Sequence, residues 1–210
     1  MLKPLESKEE RDKKIKKRNL FLGVIIAIVM IGGTVGWAFL SGDTGNVGQK
    51  NYNGFNFVQT ENYWQTQIDL QGQKFLLQTS FLPGEVENVT SNFGNLDLNS
   101  FAGKGVYIIA NFPGERQAAI EFAINLQNLL NRVQFACLKE DANESFCIDK
   151  PIKSCEDADQ NTAIITIHES EDINSTTIDY NSGCLTIAGT AGDVIRAMDK
   201  GIFSMFGVIK

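Results

Sequence analysis

The chain has 210 residues, enough for one sizeable domain with an accessory segment, and its net charge of −6 is unevenly distributed. Residues 1–18 hold eight basic and four acidic residues, whereas residues 41–210 hold eleven basic and twenty-one acidic ones. Such an acidic body lacks the basic surface typical of nucleic-acid-binding proteins, which argues against nucleic acid as a partner.

The segment 20–40 carries no charge and, as a helix, would be long enough to cross the hydrocarbon core of a bilayer, about 30 Å thick. Five basic residues lie at 13–18, and none follows the segment before Lys50. The positive-inside rule therefore predicts a cytoplasmic N-terminus and an outer C-terminal part. A cleaved signal peptide is the alternative, but its small-residue cleavage site is not clear here.

These features predict a single-pass protein of the cell membrane. Gly32 and Gly36 form a GxxxG pair that would let two such helices pack, so self-association is one possible form of partnership. The predicted parts are a cytoplasmic basic segment at 1–18, a transmembrane helix at 19–40, a linker at 41–50 and an extracytoplasmic domain at 51–210, with a β-meander in 51–82 and a βαβ-containing core in 103–210.

The outer part begins with apolar and polar residues in alternation, as in Trp64, Thr66, Ile68 and Leu70. Alternation of period two is typical of half-buried strands, and short polar stretches separate three such runs. The sequence predicts an antiparallel meander with strands at 55–59, 63–70 and 74–81.

The following region has the pattern of a βαβ unit. Residues 105–110 form a continuous apolar run, which indicates a strand buried on both faces. Helical spacing of apolar residues covers 115–132, and a second strand follows at 133–138. Strands joined in this way should be parallel.

The C-terminal region completes the predicted α/β (α+β) fold. A buried strand is predicted at 163–167, and 176–180 with 185–188 form either a hairpin or a pair of edge strands. Thr190 is a candidate N-cap for a last helix with one apolar stripe. The glycine turn before this helix lacks the lysine of a phosphate loop, and Asp193 opposes anion binding, so the helix is predicted to pack on a mostly parallel sheet.

Four cysteines, Cys137, Cys147, Cys155 and Cys184, all fall on the predicted outer side and contain no Cys-x-x-Cys motif. An even number in an oxidising compartment indicates two disulfides. Of the three possible connectivities we favour Cys137 with Cys147 and Cys155 with Cys184, because one bond then closes a local loop and the other joins a loop to a strand.

Glycosylation sequons of the type Asn-x-Ser/Thr occur at Asn88, Asn143 and Asn174, all on the predicted outer side.

Motifs for catalysis or metal binding are absent from the sequence. His168 is the only histidine, which excludes multi-histidine metal sites, and no Gly-x-Ser-x-Gly elbow occurs. The stretch from Asp157 resembles the start of a calcium loop but has Thr162 and His168 where glycine and glutamate are required. We therefore predict no catalytic residue, cofactor or metal, and the pattern favours a non-enzymatic protein.

A ligand of an open α/β sheet binds beyond the carboxyl ends of the strands. At that edge, after the first buried strand, the sequence places Asn111 and Arg116. These two residues mark an alternative ligand crevice, although the pattern favours an ordinary strand-to-helix turn.

Several longer stretches resemble a group of membrane-anchored archaeal proteins from small-genome lineages, a group without an assigned activity. Besides the anchor, the resemblance lies in YNGFNFVQTENYWQTQI, FLPGEVENV, GVYIIANFP, SCEDADQNTAIITI and GCLTIAGTAGDVIRAMDKGIFSMFGVI. It implies the same architecture and topology and no particular chemistry.

Two functions are compatible with these patterns. The first is a membrane-anchored cell-envelope protein whose disulfide-stabilised outer domain is a structural or protein-interaction module, binding an envelope protein or other copies of itself. The second is an extracytoplasmic ligand-binding domain or enzyme that uses the crevice at the carboxyl edge of the sheet.

Overall fold

The computed structural model describes residues 48–70, 72–94, 96–169 and 175–209, which belong to one compact unit starting at Gly48. It is a mixed α+β structure with an antiparallel sheet, a mostly parallel sheet and helices. None of the helices in these residues is long and apolar enough to cross a membrane, and the predicted transmembrane helix at 19–40 lies outside them.

The antiparallel sheet is a meander of four strands rather than the three predicted. Its strands, in spatial and chain order, are β1 Gln49–Tyr52, β2 Phe55–Gln59, β3 Trp64–Leu70 and β4 Gln73–Thr79. The extra strand, β1, includes Gln49 and Lys50, which the sequence analysis assigned to the linker. Asn53 and Gly54 both have positive φ, 49° and 86°, so an Asn-Gly turn folds this polar segment back onto β2.

The second sheet has six strands in the order β5-β9-β10-β8-β6-β7. All neighbouring strands are parallel except β9 and β10. The elements, in chain order, are α1 Pro83–Val86, β5 Thr90–Asn92, β6 Gly105–Ile109, α2 Pro113–Leu126, β7 Arg132–Ala136, β8 Thr162–Glu169, β9 Thr177–Asn181, β10 Cys184–Gly189 and α3 Ala191–Met205.

The βαβ unit β6-α2-β7 has parallel strands, as predicted. Its helix starts two residues earlier than expected, because Pro113 suits the first helical position. It ends six residues earlier, because the backbone N–H of Asn131 bonds instead to the carbonyl of Lys104 just before β6. The chain therefore turns back to the sheet sooner than the apolar spacing suggested.

The predicted pairing of the last strands is a hairpin. Ser182 and Gly183, with φ of 49° and 89°, form the two-residue turn between β9 and β10. The alternative of two edge strands is wrong for β10, which lies between β9 and β8 inside the sheet.

Helix α3 starts after Thr190 and buries the predicted apolar stripe, including Val194, Met198 and Ile202. Gly201 lies inside it, and a Cβ there would be only 2.9 Å from the Cδ1 atom of Ile178. Glycine at this position lets the helix lie close against β9.

Helices α2 and α3 form a middle layer between the two sheets. Their apolar side chains join buried residues of the six-stranded sheet, such as Ile165 and Leu185, in one core. On the meander side, Phe203 of α3 meets Phe57 of β2 with ring centroids 5.8 Å apart. The domain thus has three layers. Burial of apolar side chains between these layers is its main source of stability.

We expect Ile202→Asp to unfold the domain. The variant places an unpaired carboxylate at a fully buried site, at a cost of several kcal/mol against a typical domain stability of about 5–15 kcal/mol. Circular dichroism during thermal melting measures the loss. Gly192→Ala is the control in the same helix, because a Cβ there meets no atom within 4 Å. A normal melt for Ile202→Asp would show that α3 is not part of the core.

Candidate ligand crevice and adjoining surface

A crevice of about 370 Å³ lies at the carboxyl edge of the parallel strands. Its walls come from the ends of β6, β7 and β8 and from the start of α2. The apolar part of the lining is formed by Ile109, Phe112, Leu138, Phe146 and Ile167. This is the region of an open α/β sheet where ligands usually bind.

The polar part of the lining is acidic. It consists of Asn111, Glu115, Glu140, Asp141, Thr166 and His168. No lysine or arginine of the described chain lines this crevice. Its electrostatic character therefore favours a cation or a neutral donor over an anion.

Glu115 is only 2% exposed and caps the start of α2. Its carboxylate accepts hydrogen bonds from the backbone N–H groups of Asn111 and Phe112, and from that of Glu169 at 2.8 Å. The partial positive charge of the helix N-terminus is thus already matched by a carboxylate. An external phosphate would meet this negative charge, which disfavours an anion at this helix.

Asn111 lies in the crevice, where the sequence analysis placed it. Its Nδ2 atom donates to Oδ2 of Asp141 at 3.1 Å, an arrangement that leaves Oδ1 as the acceptor. That Oδ1 atom is buried and receives no hydrogen bond from the residues that the structure describes. Because this atom is not accessible from the crevice, it adds no acceptor to the lining.

Arg116, the other predicted crevice residue, does not line it. It follows Glu115 in α2, and the turn of about 100° per helical residue directs it to the outside. There it is exposed and close to Lys150. Burial lowers the pKa of Lys150, and the positive charge of Arg116 lowers it further.

The two cations lie on a surface with several exposed apolar side chains, which we call the apolar–cationic face. Lys150 Nζ is 5.9 Å from the ring centroid of Phe135 and 5.7 Å from that of Phe146. Helical spacing of four residues places Arg116 in one row with the exposed apolar residues of α2. The face comprises Phe112, Arg116, Ile120, Ile124, Phe135, Phe146 and Lys150.

The disulfides form between the predicted partners, Cys137 with Cys147 and Cys155 with Cys184. The first bond closes the loop that carries Phe146, directly before Cys147. The second attaches the following loop to the first residue of β10. The second bond lies at the sheet face opposite the helices, where a small apolar cluster contains Ile109, Ala136, Ile164 and Cys184.

A pair of buried acids lies away from the crevice, between α2 and α3. Glu121 is 1% exposed and Asp199 is 0% exposed. Glu121 Oε1 accepts from the hydroxyl of Ser80, and Asp199 Oδ2 accepts from the N–H of Phe81 at 2.8 Å. The other two carboxylate oxygens, Glu121 Oε2 and Asp199 Oδ1, are buried and have no hydrogen-bond partner in the described part of the chain.

Burial raises the pKa of Asp199 well above its ordinary value of 3.8, and the hydrogen bond and negative charge of Glu121 raise it further. A proton on this pair therefore favours Asp199. No pattern in the sequence indicates this pair, because its members are far apart in the chain and each resembles an ordinary helix-surface acid.

His168 is exposed at the lining of the crevice, and Asn88 and Asn143 do not line it. Asn88 and Asn143 are exposed, whereas Asn174 lies outside the described residues. In those residues, no group of three or more histidine, cysteine, aspartate or glutamate side chains is arranged to hold a metal ion.

Comparison with known proteins gives no match: no family model, no curated protein and no solved structure is similar to this chain. The resemblance to archaeal membrane-anchored proteins thus remains a prediction, and the function has to be argued from the site.

We expect the Asp199–Glu121 pair to make the domain less stable as the pH rises. The folded domain holds the proton of Asp199 more tightly than the unfolded chain, so this stability is present below pH 3.8 and is lost as pH rises through the raised pKa. Asp199→Asn keeps a donor to Glu121 and should remove this dependence. Melting temperatures between pH 4 and pH 9 measure it.

The control for this series is Asp149→Asn, at an exposed loop position, which should keep the wild-type pH profile. Carboxyl groups elsewhere act equally in all three proteins, so the comparison isolates Asp199. If the melting temperatures of wild type and Asp199→Asn change with pH in the same way, Asp199 does not hold a proton in the folded domain.

Proposed function

We propose that this chain is a membrane-anchored cell-envelope protein whose outer domain binds a protein partner through the apolar–cationic face. The single observation that carries the proposal is the unpaired cation pair of Arg116 and Lys150 among exposed apolar side chains.

The location rests on two features. The uncharged segment 20–40, with basic residues only before it, favours a membrane anchor with the N-terminus in the cytoplasm. Two disulfides are compatible with an extracytoplasmic domain, because such bonds persist in oxidising compartments. The linker is short, so the domain would stay near the membrane and meet other envelope components there.

The face has the composition of an interface rather than of ordinary surface. Phe112 is 56% exposed and Ile120 is 44% exposed, although both are large and apolar. Single exposed apolar residues are common, but a group of them on one surface marks a site of interaction. The loop part of this group is held by the disulfide between Cys137 and Cys147, so it is ordered before a partner binds.

The charges on the face indicate the chemistry of the partner. Neither Arg116 nor Lys150 forms an ion pair with a carboxylate of the described residues. Two cations so close repel each other, and Lys150 is also partly desolvated. Carboxylates of a partner would relieve both costs, so we expect a segment with acidic and apolar side chains.

Strand β7 adds main-chain groups to this surface. It is the edge strand of the six-stranded sheet, and Phe135 of the face belongs to it. Just beyond this strand the backbone of Cys137 already pairs with Pro151 and Lys153. A partner segment in extended conformation would add to the edge of β7 before that point.

We expect the double variant Arg116→Glu/Lys150→Glu to lose the partner. The two introduced glutamates would then repel the acidic segment of the partner. The amount of partner recovered with the tagged chain should fall by about tenfold or more. The measurement is cross-linking in native membranes with the tagged full-length chain, followed by purification and mass spectrometry.

The matched control is Lys50→Glu/Lys74→Glu, which reverses two exposed charges on the meander and should leave recovery unchanged. Recovery of the same proteins by all three chains would refute the proposal, as would recovery of no cross-linked protein by wild type. If the chain itself is the cross-linked partner, the interaction is self-association through this face.

A further inference from the structure

We propose that the crevice at the carboxyl edge binds an ammonium group carried on an apolar stem. This site is distinct from the protein-binding role proposed above, because it does not involve Arg116 or Lys150. It lies next to the apolar–cationic face, with which it shares Phe112 and Phe146.

The size of the crevice suits a small group. A volume of about 370 Å³ is near the lower end of the range of small-molecule sites. It would hold an arylalkylamine or the side chain of one lysine, but not a folded peptide.

The polar lining lacks a donor rather than an acceptor. Glu115 already accepts three backbone hydrogen bonds, so it acts mainly through its charge. Asp141 accepts one hydrogen bond, from Asn111, and has further acceptor capacity. Glu140 adds an exposed carboxylate to the lining. An ammonium group has three donors and no acceptor, which matches this set.

The charge of the lining points in the same direction. Glu115, Glu140 and Asp141 are acidic, and the described lining has no basic side chain except the imidazole of His168. A phosphate or carboxylate would therefore meet repulsion without a compensating cation.

The apolar walls account for the stem. Phe112 and Phe146 offer aromatic rings, and Ile109 and Leu138 offer aliphatic surface. Apolar walls would exclude water from the methylene groups of the ligand, and a ring face also attracts a cation. The combination selects an amine with an apolar stem over a bare ammonium ion.

The test uses the full-length chain in detergent and three probes of similar shape, measured by titration calorimetry. These are 2-phenylethylamine, 2-phenylethanol and phenylacetate. The amine should bind about tenfold more tightly than the alcohol, the ratio expected when a hydrogen bond gains a charge. Phenylacetate should show no binding. Equal affinities for the three probes, or a preference for phenylacetate, would overturn the proposal.

Asp141→Asn tests the same point within the protein. It keeps the shape of the side chain and should abolish the preference for amine over alcohol. Glu144→Gln changes an exposed acid of the same loop outside the lining and should keep the preference. If Asp141→Asn does not fold, Glu140→Gln, at an exposed lining position, serves instead. An unchanged preference in a folded lining variant would refute the role of the acids.

A fourth probe identifies the source of the ammonium group. Nα-acetyl-lysine N-methylamide presents lysine as it occurs in a polypeptide, with a free ε-ammonium group. Binding at least as tight as that of 2-phenylethylamine indicates a lysine of a protein, whereas weaker binding indicates a free amine. The double variant Arg116→Glu/Lys150→Glu should bind these amines at least as well as wild type, so this site can fail or succeed independently of the protein-binding face.

Discussion

The middle layer of α2 and α3 is the part of the domain that both sheets depend on. Towards the six-stranded sheet it is apolar, but towards the meander it also carries Glu121, Asn125 and Asp199. Asn125 bonds to the backbone N–H and carbonyl of Gln78 at 2.8 and 2.7 Å. Buried polar groups tolerate few geometries, because each loses its water and needs a specific partner. They therefore fix one position of the meander, where apolar contacts alone would allow several.

The same layer determines the crevice. A Cβ on Gly114 would lie 2.6 Å from Oε2 of Glu169 and 2.8 Å from the carbonyl of Ala191, so glycine lets the start of α2 lie against the start of α3. Glu115 then reaches the ends of β6 and β8 together. An acid that stabilises the fold also makes the crevice negative, which explains why a position typical of phosphate sites is unsuited to phosphate here.

The sequence predicted elements with strong local periodicity, namely the βαβ unit, the last helix and three meander strands. It missed β1, because Gln49 and Lys50 form a strand only through the turn at Asn53 and Gly54 and pairing with β2. The edge rule for parallel sheets located the crevice through Asn111. It wrongly included Arg116, which the helix directs away from the crevice. It also did not reveal the Glu121–Asp199 pair, because a contact between two helices that are far apart in the chain leaves no local pattern.

The crevice and the apolar–cationic face have opposite charges and share two aromatic walls. An acidic partner segment would pair with Arg116 and Lys150, and a basic side chain of the same segment would enter the crevice between Phe112 and Phe146. Both kinds of charge on such a segment would meet an opposite charge in only one orientation. In the reverse orientation an acidic side chain of the segment would face Asp141, and a basic one would face Lys150. Opposite charges on the two sides of Phe112 and Phe146 would thus determine the direction in which a chain binds. Neither site could determine this direction alone.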